Sequence, residues 1–440
     1  MKSQISKKSN LKCTASAHNR GVNVFNWLHI TDLHCILDSQ HQKILTELLN
    51  DGIIKEIKNI SVDCIVITGD ILDKGDVNYS DGIIDKIFYI YDQCRDACSW
   101  KYGEARKRLF FCPGNHDLNR NACCKHEKKD VSRRDLMKEW AKKTNTSTVE
   151  TLCSLSTNEA ELDLLRIVAF RDFMILMEII YQIDQLKANT ANANKSTINL
   201  INEARKAANK CYKPVSSEVT IFHPIAHKIS IEFCGFNTAL LAGQTAERND
   251  LEEYYLLKDL FLTQFKILEN GYIVKGSNDR KVKELKTEYV VKKERFYRET
   301  ANDDMNLIFI SHKEATQLRD KYKNKDCVVI TFGHHPITCM NTHAAQNMRN
   351  TIKSIKSTLY LCGHTHEPGM VDELVDGIAE VTVGALRQNE NERDMGGYSL
   401  GRLYKSGNKI KAYIEKRQYM NTSLGLAWVR KTTLKDHTVN

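Results

Sequence analysis

The sequence has 440 residues, of which 42% are hydrophobic and 27% are charged, which is typical of a globular protein with a large core. No apolar run approaches the ~20 residues that a membrane-spanning helix needs, so we expect no membrane contact. Lys and Arg number 64 and Asp and Glu 55, giving a formal net charge of +9 that is unevenly distributed along the chain.

The first 21 residues are basic and lack an apolar segment, so we interpret residues 1–21 as a disordered lead-in rather than a secretory signal. The 14 cysteines are scattered, and several lie within apolar runs, as Cys64 and Cys234 do. No CxxC pair occurs. Reduced, buried thiols of this kind are typical of a cytosolic protein, and we therefore predict a cytoplasmic location.

Short runs rich in Val, Ile and Phe recur along the chain and predict strands. Near-continuous apolar runs suit strands buried on both faces, as in a layered α/β protein. A helical pattern at 41–60 separates the first two runs, and "GGYSLGRLY" and "KIKAYIEKRQY" near the end predict antiparallel strands. The seven runs occupy residues 22–32, 63–70, 108–117, 228–240, 326–336, 357–366 and 378–385.

Two long segments separate these strand-like runs. Residues 118–215 contain no convincing strand, and within them 159–188 predict a long helix whose apolar side must be buried against the core or against another subunit. Residues 244–303 form a second, charged and mostly helical segment. Because strand-like runs resume after each segment, we interpret both as inserts in one domain, 22–400, followed by C-terminal strands and a tail at 401–440.

The basic residues are concentrated in these two inserts. Residues 120–143 hold nine Lys or Arg against four Asp or Glu, and residues 275–299 hold nine against five. Such stretches are most often solvated helix faces, but they could also form a positive rim that guides DNA or RNA. Tyr289, Phe296 and Tyr297 interleave with the second stretch and could stack on bases, or pack the insert against the core.

Residue types that bind metal ions follow five of the predicted strands. In open α/β sheets, sites assemble in the crevice beyond the carboxyl ends of the strands. Five such clusters at one edge would rarely arise by chance. A single histidine is more often a structural residue than a ligand, and we expect this of His29. The clusters are Asp32 with His34; Asp70; Asn115, His116 and Asp117; His334 with His335; and His364 with His366.

The spacing within the pairs explains how they could act together. Residues i and i+2 of an extended chain point the same way, so Asp32 with His34, and His364 with His366, can each aim two ligands into one crevice. Carboxylate and imidazole ligands without thiolate favour Mn²⁺, Fe or Zn²⁺ over a structural Cys-type zinc centre. One carboxylate that bridges two ions ~3.5–4 Å apart would place a shared hydroxide for in-line attack on phosphorus.

Each of four clusters adjoins a glycine, at positions 69, 114, 333 and 363. Glycine has no Cβ atom, so it permits a sharp turn and a close approach of the backbone. We therefore expect tight turns where these strands end.

The motifs D-x-H (32–34), GD (69–70), GNHD (114–117), GHH (333–335) and GHTH (363–366) together resemble the calcineurin-like metallophosphoesterase superfamily. All five occur in the family order and cover the chain from about 22 to 400. "WLHITDLH" and "CPGNHDLNR" further resemble phosphoesterase domains of bacterial multidomain proteins. The resemblance implies a two-sheet β-sandwich flanked by helices, the αββα arrangement.

The resemblance also implies two divalent metal ions, with Mn²⁺ the first choice and Fe or Zn²⁺ the alternatives. Asp70 would bridge the two ions. One ion would be bound by Asp32, His34, Asp70 and His366, and the other by Asp70, Asn115, His334 and His364.

Three further residues receive other roles from the same resemblance. His116, paired with Asp117, would contact the phosphoryl oxygens and protonate the leaving group. His334 is chosen over His335 as the ligand because it directly follows the strand. His335 would then contact the substrate or support the ligands.

The leading hypothesis is a dinuclear metal-dependent phosphoesterase that hydrolyses a phosphodiester, with a slight preference for nucleic acid, which would make it a nuclease. The alternatives within the same chemistry are a phosphomonoesterase, including a phosphoprotein phosphatase, and a phosphodiesterase for small cyclic nucleotides. A hypothesis of another class is a non-catalytic interaction module on the same fold. A partner or a second copy could bind through the helical insert 118–215.

Overall fold

The fold is seen in a computed structural model of the chain. The part that the structure describes comprises residues 22–35, 49–72, 80–117, 159–211, 219–226, 228–239, 312–340, 342–365, 372–373, 377–386, 394–422 and 425–439.

Most of the predicted strand-like runs form strands that are buried on both faces, because they lie between packed layers. The strands are β1 Val22–Ile30, β2 Cys64–Thr68, β3 Leu109–Cys112, β4 Val219–Phe222, β5 Ile231–Phe236, β6 Val328–Gly333, β7 Leu359–Cys362, β8 Asp372–Glu373, β9 Ala379–Thr382, β10 Asp394–Ser406, β11 Lys409–Thr422 and β12 Gly425–Thr438.

The strands form two six-stranded mixed sheets. The first sheet has the order β12-β11-β10-β1-β2-β3, in which β1, β2 and β3 are parallel and β10 is antiparallel to β1. The second has the order β4-β5-β6-β7-β9-β8, in which β5, β6, β7 and β9 are parallel. The five strands followed by metal-ligand clusters are therefore parallel neighbours within their sheets, three in the first sheet and two in the second.

An aromatic cluster joins the two sheets face to face. The Phe233 ring lies 5.2 Å from the Phe110 ring and 6.0 Å from the Phe25 ring, measured between centroids. Trp27 and Phe332 belong to the same buried cluster. Alternate residues of β1 point the other way, so Leu28 and Ile30 pack under the helices.

Helices cover the outer face of each sheet and complete the four layers. A π-helical turn, Leu49–Ile53, leads into the first helix, and a 3₁₀ turn, Ile337–Cys339, follows β6. The α-helices are α1 Ile54–Ile60, α2 Asp81–Ala97, α3 Ala105–Arg108, α4 Glu159–Ala188, α5 Thr197–Cys211, α6 His312–Tyr322 and α7 Thr342–Ser354.

The two helices that the structure describes within the insert, α4 and α5, are part of this outer layer. Phe173, Leu176 and Ile180 of α4 are buried in the same hydrophobic cluster as α2 and β1. The Tyr181 hydroxyl donates a hydrogen bond to the Leu109 carbonyl of β3 at 2.9 Å. The apolar side of this helix is thus buried against the core of the same chain, which decides between the two alternatives left open by the sequence.

The structure confirms the α/β class and the two-sheet sandwich flanked by helices. It also contains three strands that the predicted runs and the two quoted C-terminal segments did not indicate, β4, β8 and β12. Of the C-terminal strands, β10 pairs with β1, β11 with β10 and β12 with β11, and the boundary placed at residue 400 falls inside β10.

Residues 1–21 and the charged insert 244–303 lie outside the described residues. In the part that is described, no helix has the length and apolar character needed to cross a membrane.

Candidate metal centre

The loops after β1 and β2 run side by side beyond the edge of the first sheet. The Asp32 amide donates to the Gly69 carbonyl at 3.1 Å, and the His34 amide donates to the Asp70 carbonyl at 2.9 Å. These bonds continue the parallel pairing of the two strands into the loops. They place the first predicted carboxylate and histidine next to the predicted bridging carboxylate.

Four of the predicted site residues have left-handed backbone conformations. The φ angles are +50° at Asp32, +39° at His34, +49° at Asp70 and +71° at His364. Non-glycine residues rarely adopt this region, although Asp and His enter it more easily than most. Such strain persists only where the surroundings impose it, and it clusters at functional sites.

Gly69 and Gly114 allow the ends of β2 and β3 to approach closely. Gly69 has a φ of +85°, and a Cβ atom there would lie 2.6 Å from the Gly114 nitrogen. A Cβ atom on Gly114 would lie 2.1 Å from Oδ1 of Asp70. The close backbone approach predicted at these two glycines is confirmed, since a Cβ atom on Gly69 would collide with the Gly114 backbone and one on Gly114 would collide with the Asp70 carboxylate.

His334 is the centre of the ligand set predicted for the second ion. Its Nε2 atom lies 3.0 Å from Oδ1 of Asn115, 3.2 Å from Oδ2 of Asp70 and 3.2 Å from Nδ1 of His364. Atoms bound to one ion at about 2.1 Å in a tetrahedral arrangement lie roughly 3.4 Å apart. The three distances from His334 therefore suit ligands of one divalent ion. Among the described His, Cys, Asp and Glu residues, the groups whose ligand atoms all lie within 4.8 Å of one another are His334 with His335 and His364, and Asp32 with Asp70 and His334.

The tautomer of His334 suits a metal ligand. Its Nδ1 lies 2.8 Å from the Thr68 carbonyl, which can only accept, so Nδ1 must carry the hydrogen. Nε2 then faces the other three ligand atoms and can bind an ion when it loses its proton. Metal-binding histidines are commonly oriented in this way through their second nitrogen.

The ligand set predicted for the first ion is only partly described. Asp32, Asp70 and His334 each offer a ligand atom, and these atoms lie within 4.8 Å of one another. Nε2 of His34 lies 3.8 Å from Oδ1 of Asp32. His366, the remaining predicted ligand, lies outside the described residues.

Asp32 also links the two sheets at this edge. Its Oδ2 accepts hydrogen bonds from the Thr31 hydroxyl at 2.6 Å and from the His364 amide, in the loop after β7, at 3.0 Å. The Asp32 carboxylate is fully buried. These bonds fix its orientation, and they tie the loop after β1 to the loop that carries the last predicted ligands.

Charge pairing dominates the electrostatics of the centre. Burial acts to raise the pKa of Asp70, but the charges of His334, His116 and His34 outweigh it and hold the pKa well below its usual range. Burial acts to lower the pKa of His334, but the neighbouring Asp70 carboxylate raises it to about 9. A proton thus occupies a place that a metal ion would take, so metal binding should release it.

His116 is the predicted site residue best placed to meet a substrate. Its side chain is 25% exposed, whereas that of Asp70 is almost fully buried. Its ring lies edge-on to the His34 ring at 5.0 Å, and its Nε2 is 4.0 Å from Oδ2 of Asp70. The His116 amide also donates to Oδ1 of Asp70 at 2.8 Å.

Asp117 has a different position from the one expected for a group that contacts phosphate. Its carboxylate is fully buried and accepts hydrogen bonds from the Leu72 amide at 3.0 Å and the Gly114 amide at 2.9 Å. Burial, with the nearby Asp70 charge, raises its pKa to about 7. The geometry therefore favours a role in holding the two loops together over direct contact with phosphoryl oxygens.

Thr238, which follows β5, is a site residue that sequence reasoning missed. Its hydroxyl accepts the amides of His334 at 3.2 Å and His335 at 3.1 Å, and it lies 3.0 Å from Nδ1 of His335. The His335 ring is fully buried, 4.4 Å from the His364 ring between centroids. The only available signal was the position of Thr238 at the carboxyl end of a strand in the same sheet.

His29 is structural, as the sequence suggested. Its Nε2 lies 2.9 Å from the Thr68 hydroxyl and its Nδ1 3.4 Å from the Ser399 hydroxyl. Complete burial lowers its pKa to about 3, so the ring is neutral.

The two basic stretches, 120–143 and 275–299, lie outside the described residues, as do Tyr289, Phe296 and Tyr297. Their predicted contact with nucleic acid stays a prediction.

Part of the sequence is similar to one known protein family. Residues 25–223 match the family model of the calcineurin-like phosphoesterases. This range includes Asp32, Asp70 and Asn115 and ends before His334 and His364. The fourth and fifth clusters are therefore connected to the site by the structure and not by the family match.

No curated protein matches the chain at a significant level. One similar solved structure is titled "GAP50 the anchor in the inner membrane complex of Plasmodium". It is 11% identical, with 95% of this chain and 92% of that chain covered, and the TM-score is 0.37. A likeness of that size adds nothing to the family match.

Proposed function

We propose that this chain, whose residues 25–223 match the calcineurin-like phosphoesterase family, is a dinuclear metal-dependent phosphodiesterase. The family implies metal-dependent hydrolysis of phosphate esters. The number of ions, the diester substrate and the use of Mn²⁺ are our proposals.

One observation carries the proposal. Asp70, Asn115 and His364 each place a ligand atom 3.0–3.2 Å from Nε2 of His334, although the four residues come from different loops of the two sheets. A purely structural role would not require this convergence, because each of these polar groups could be satisfied locally. Asp70 also belongs to a second group of possible metal ligands, with Asp32 and His334, and a ligand that bridges two ions must lie close to both sets of ligands.

The roles of the side chains follow from this arrangement. Asp32, His34, Asp70 and His366 would hold one ion, and Asp70, Asn115, His334 and His364 the other. When bound, two divalent ions neutralise phosphate charge and supply hydroxide near neutral pH.

His116, next to Asp70 and partly exposed, would donate the proton to the leaving group. Asp117 would fix the backbone that carries His116, through the bonds of its carboxylate to the Gly114 and Leu72 amides.

An assay with bis-p-nitrophenyl phosphate tests the reaction. We expect hydrolysis with Mn²⁺, loss of hydrolysis with a chelator, and recovery when Mn²⁺ is restored. Asp70→Asn removes the proposed bridge and should abolish activity while the fold is kept. A folded, metal-bound protein that hydrolyses no mono- or diester would contradict the proposal and would favour a non-catalytic interaction module.

The substrate class is proposed from the charge of the inserts. The two basic stretches carry 18 Lys or Arg against nine Asp or Glu, so nucleic acid is the diester we favour. Labelled single- and double-stranded DNA and RNA, incubated with Mn²⁺, should be cleaved, and binding should weaken steeply as salt increases. Cleavage only of p-nitrophenyl phosphate, cyclic nucleotides or a phosphopeptide would indicate one of the alternative substrates.

A cytoplasmic location is also proposed. It is supported by the cysteines that the structure describes, which are free thiols, most of them buried.

A further inference from the structure

Two adjacent histidines at the centre have different hydrogen-bond partners on Nδ1. Nδ1 of His334 faces a backbone carbonyl, that of Thr68, whereas Nδ1 of His335 faces a hydroxyl, that of Thr238. A carbonyl can only accept a hydrogen bond, but a hydroxyl can accept two and donate one. The partner of each ring therefore determines which of its nitrogens carries hydrogen.

The Thr238 hydroxyl has both of its acceptor positions occupied. The amides of His334 and His335 donate to it at 3.2 Å and 3.1 Å. Its own hydrogen then points to its third neighbour, Nδ1 of His335 at 3.0 Å. Nδ1 of His335 must accept that hydrogen, so the ring carries its hydrogen on Nε2.

Nε2 of His335 has no hydrogen-bond partner among the described residues, and it is buried. A buried N–H without a protein partner is destabilising unless a water molecule or a ligand accepts its hydrogen bond. A ring nitrogen of His335 lies within 4.8 Å of the ligand atoms of His334 and His364. The His335 ring therefore lies beside the proposed metal centre.

We propose that Thr238 fixes His335 as the tautomer with hydrogen on Nε2, so that His335 donates a hydrogen bond to a phosphoryl oxyanion at the centre and is not a third imidazole ligand. His334 and His335 then have opposite tautomers, one for metal and one for the anion. Thr238 is a positioning residue in this arrangement. The anion as ligand rests on the proposed function, but the tautomer does not.

The tautomer is tested by nitrogen NMR on the full chain labelled with ¹⁵N-histidine. Comparison with His335→Gln assigns the signals of His335. We expect hydrogen on Nε2 and an unprotonated Nδ1. Hydrogen on Nδ1 would overturn the proposal.

Metal stoichiometry separates a donor from a ligand. His335→Gln and wild type should bind the same number of Mn²⁺ ions with affinities that agree within about threefold, because a donor is not needed to hold the ion. Loss of one ion in His335→Gln would show that His335 is a ligand and would overturn the proposal.

Binding of inorganic phosphate to the Mn²⁺-loaded protein, measured by calorimetry, tests the donor itself. His335→Ala should weaken phosphate binding about tenfold, whereas His335→Gln, whose amide can donate from a similar position, should weaken it less. Equal affinity in His335→Ala and wild type, including no binding in either, would contradict the proposal.

Two variants of Thr238 test its positioning role. Thr238→Val is nearly isosteric but lacks the hydroxyl that donates to Nδ1, so it should weaken phosphate binding and remove the preference of His335 for the tautomer with hydrogen on Nε2, which changes its ¹⁵N signals. Thr238→Ser keeps the hydroxyl and should retain both the tautomer and the affinity. Identical spectra of Thr238→Val and wild type would overturn the role. These measurements need no turnover, so an inactive protein would count against the proposed function alone.

Discussion

Four of the proposed metal ligands occupy backbone conformations that cost about 1–3 kcal/mol each. The hydrogen bonds around them show what imposes the strain. The backbone of Asp32 and His34 pairs with that of Gly69 and Asp70, and Asp32 accepts the His364 amide. The residues are therefore aimed before any ion arrives, which reduces the ordering that metal binding would otherwise require.

Gly114→Ala is the sharpest single test of this preorganisation. The added Cβ atom would lie 2.1 Å from Oδ1 and 2.4 Å from the nitrogen of Asp70, so the carboxylate that we propose as the bridge must move. We expect Mn²⁺ affinity, measured by calorimetry, to fall at least about tenfold, because ligand position is fixed by such supporting contacts.

Gly407→Ala is the matched control for that variant. Gly407 has a φ of +62° and open space around it, so alanine there costs stability through strain alone. Gly407 lies in the β10–β11 hairpin. The neighbouring Lys405 pairs with Val22 at the start of β1, whereas Asp32 follows the end of β1, so the hairpin is at the opposite end of this strand from the proposed site. Metal affinity lost equally in both variants would mean that the effect of Gly114→Ala is general destabilisation.

At the scale of elements, α4 is fixed to the core by one carboxylate as well as by its apolar side. Asp184 accepts hydrogen bonds from the Gly103 and Ala105 amides, each at 2.8 Å, and from the Tyr91 hydroxyl at 3.2 Å. These bonds tie α4 to the turn before α3 and to α2. The described part of α4 is therefore held in the helical layer over the first sheet.

This contact gives a pH-dependent stability. Burial raises the pKa of Asp184 from its ordinary value of 3.8 to about 6, although its hydrogen bonds act to lower it. A raised folded-state pKa means that the folded chain holds the proton more tightly than the unfolded chain. The resulting stabilisation is present below the unfolded value and is lost as the pH rises through about 6.

Asp184→Asn removes this dependence. Its Oδ1 can accept the Gly103 and Ala105 amides, and its amide can donate to Tyr91. The wild type should lose stability between pH 4 and pH 7 as Asp184 ionises, whereas the variant should not. The free energy of unfolding of the variant minus that of wild type should therefore increase over this range, by at most about 3 kcal/mol. Urea unfolding at pH 4 and pH 7 measures the free energy of unfolding of both proteins. A difference between variant and wild type that is the same at the two pH values would contradict the assignment of this pH dependence to Asp184. Asp184→Ala leaves both amides unpaired and should be less stable than Asp184→Asn at both pH values.

At the scale of the whole molecule, the proposed centre joins the two sheets. Asp32 and Asp70 follow strands of the first sheet, and His334 and His364 follow strands of the second. Nδ1 of His334 donates to the Thr68 carbonyl across this junction. An ion held here would therefore stabilise the packing of one sheet against the other.

Mn²⁺ should accordingly raise the melting temperature of the protein. At a concentration about a hundredfold above its Kd, a ligand that binds only the folded state adds about 2.7 kcal/mol. We expect a rise of a few degrees in a thermal melt, reversed by a chelator. Asp70→Asn should show little of the rise, and an equal rise in that variant would mean that Mn²⁺ binds elsewhere.

The sequence by itself determined the positions of most strands and the candidate site residues that follow them, because apolar runs are local properties. Asp32, Asp70 and His334 were identified as candidates because they directly follow such runs. The sequence did not determine which distant residues contact one another at the site, because the order of the strands in the sheets sets these contacts. The Thr238–His335 contact spans 97 positions, the His334–Thr68 contact 266, and the His364–Asp32 contact 332. Only the tertiary structure could therefore assign Asp117 to its loops, α4 to the core and opposite tautomers to two adjacent histidines.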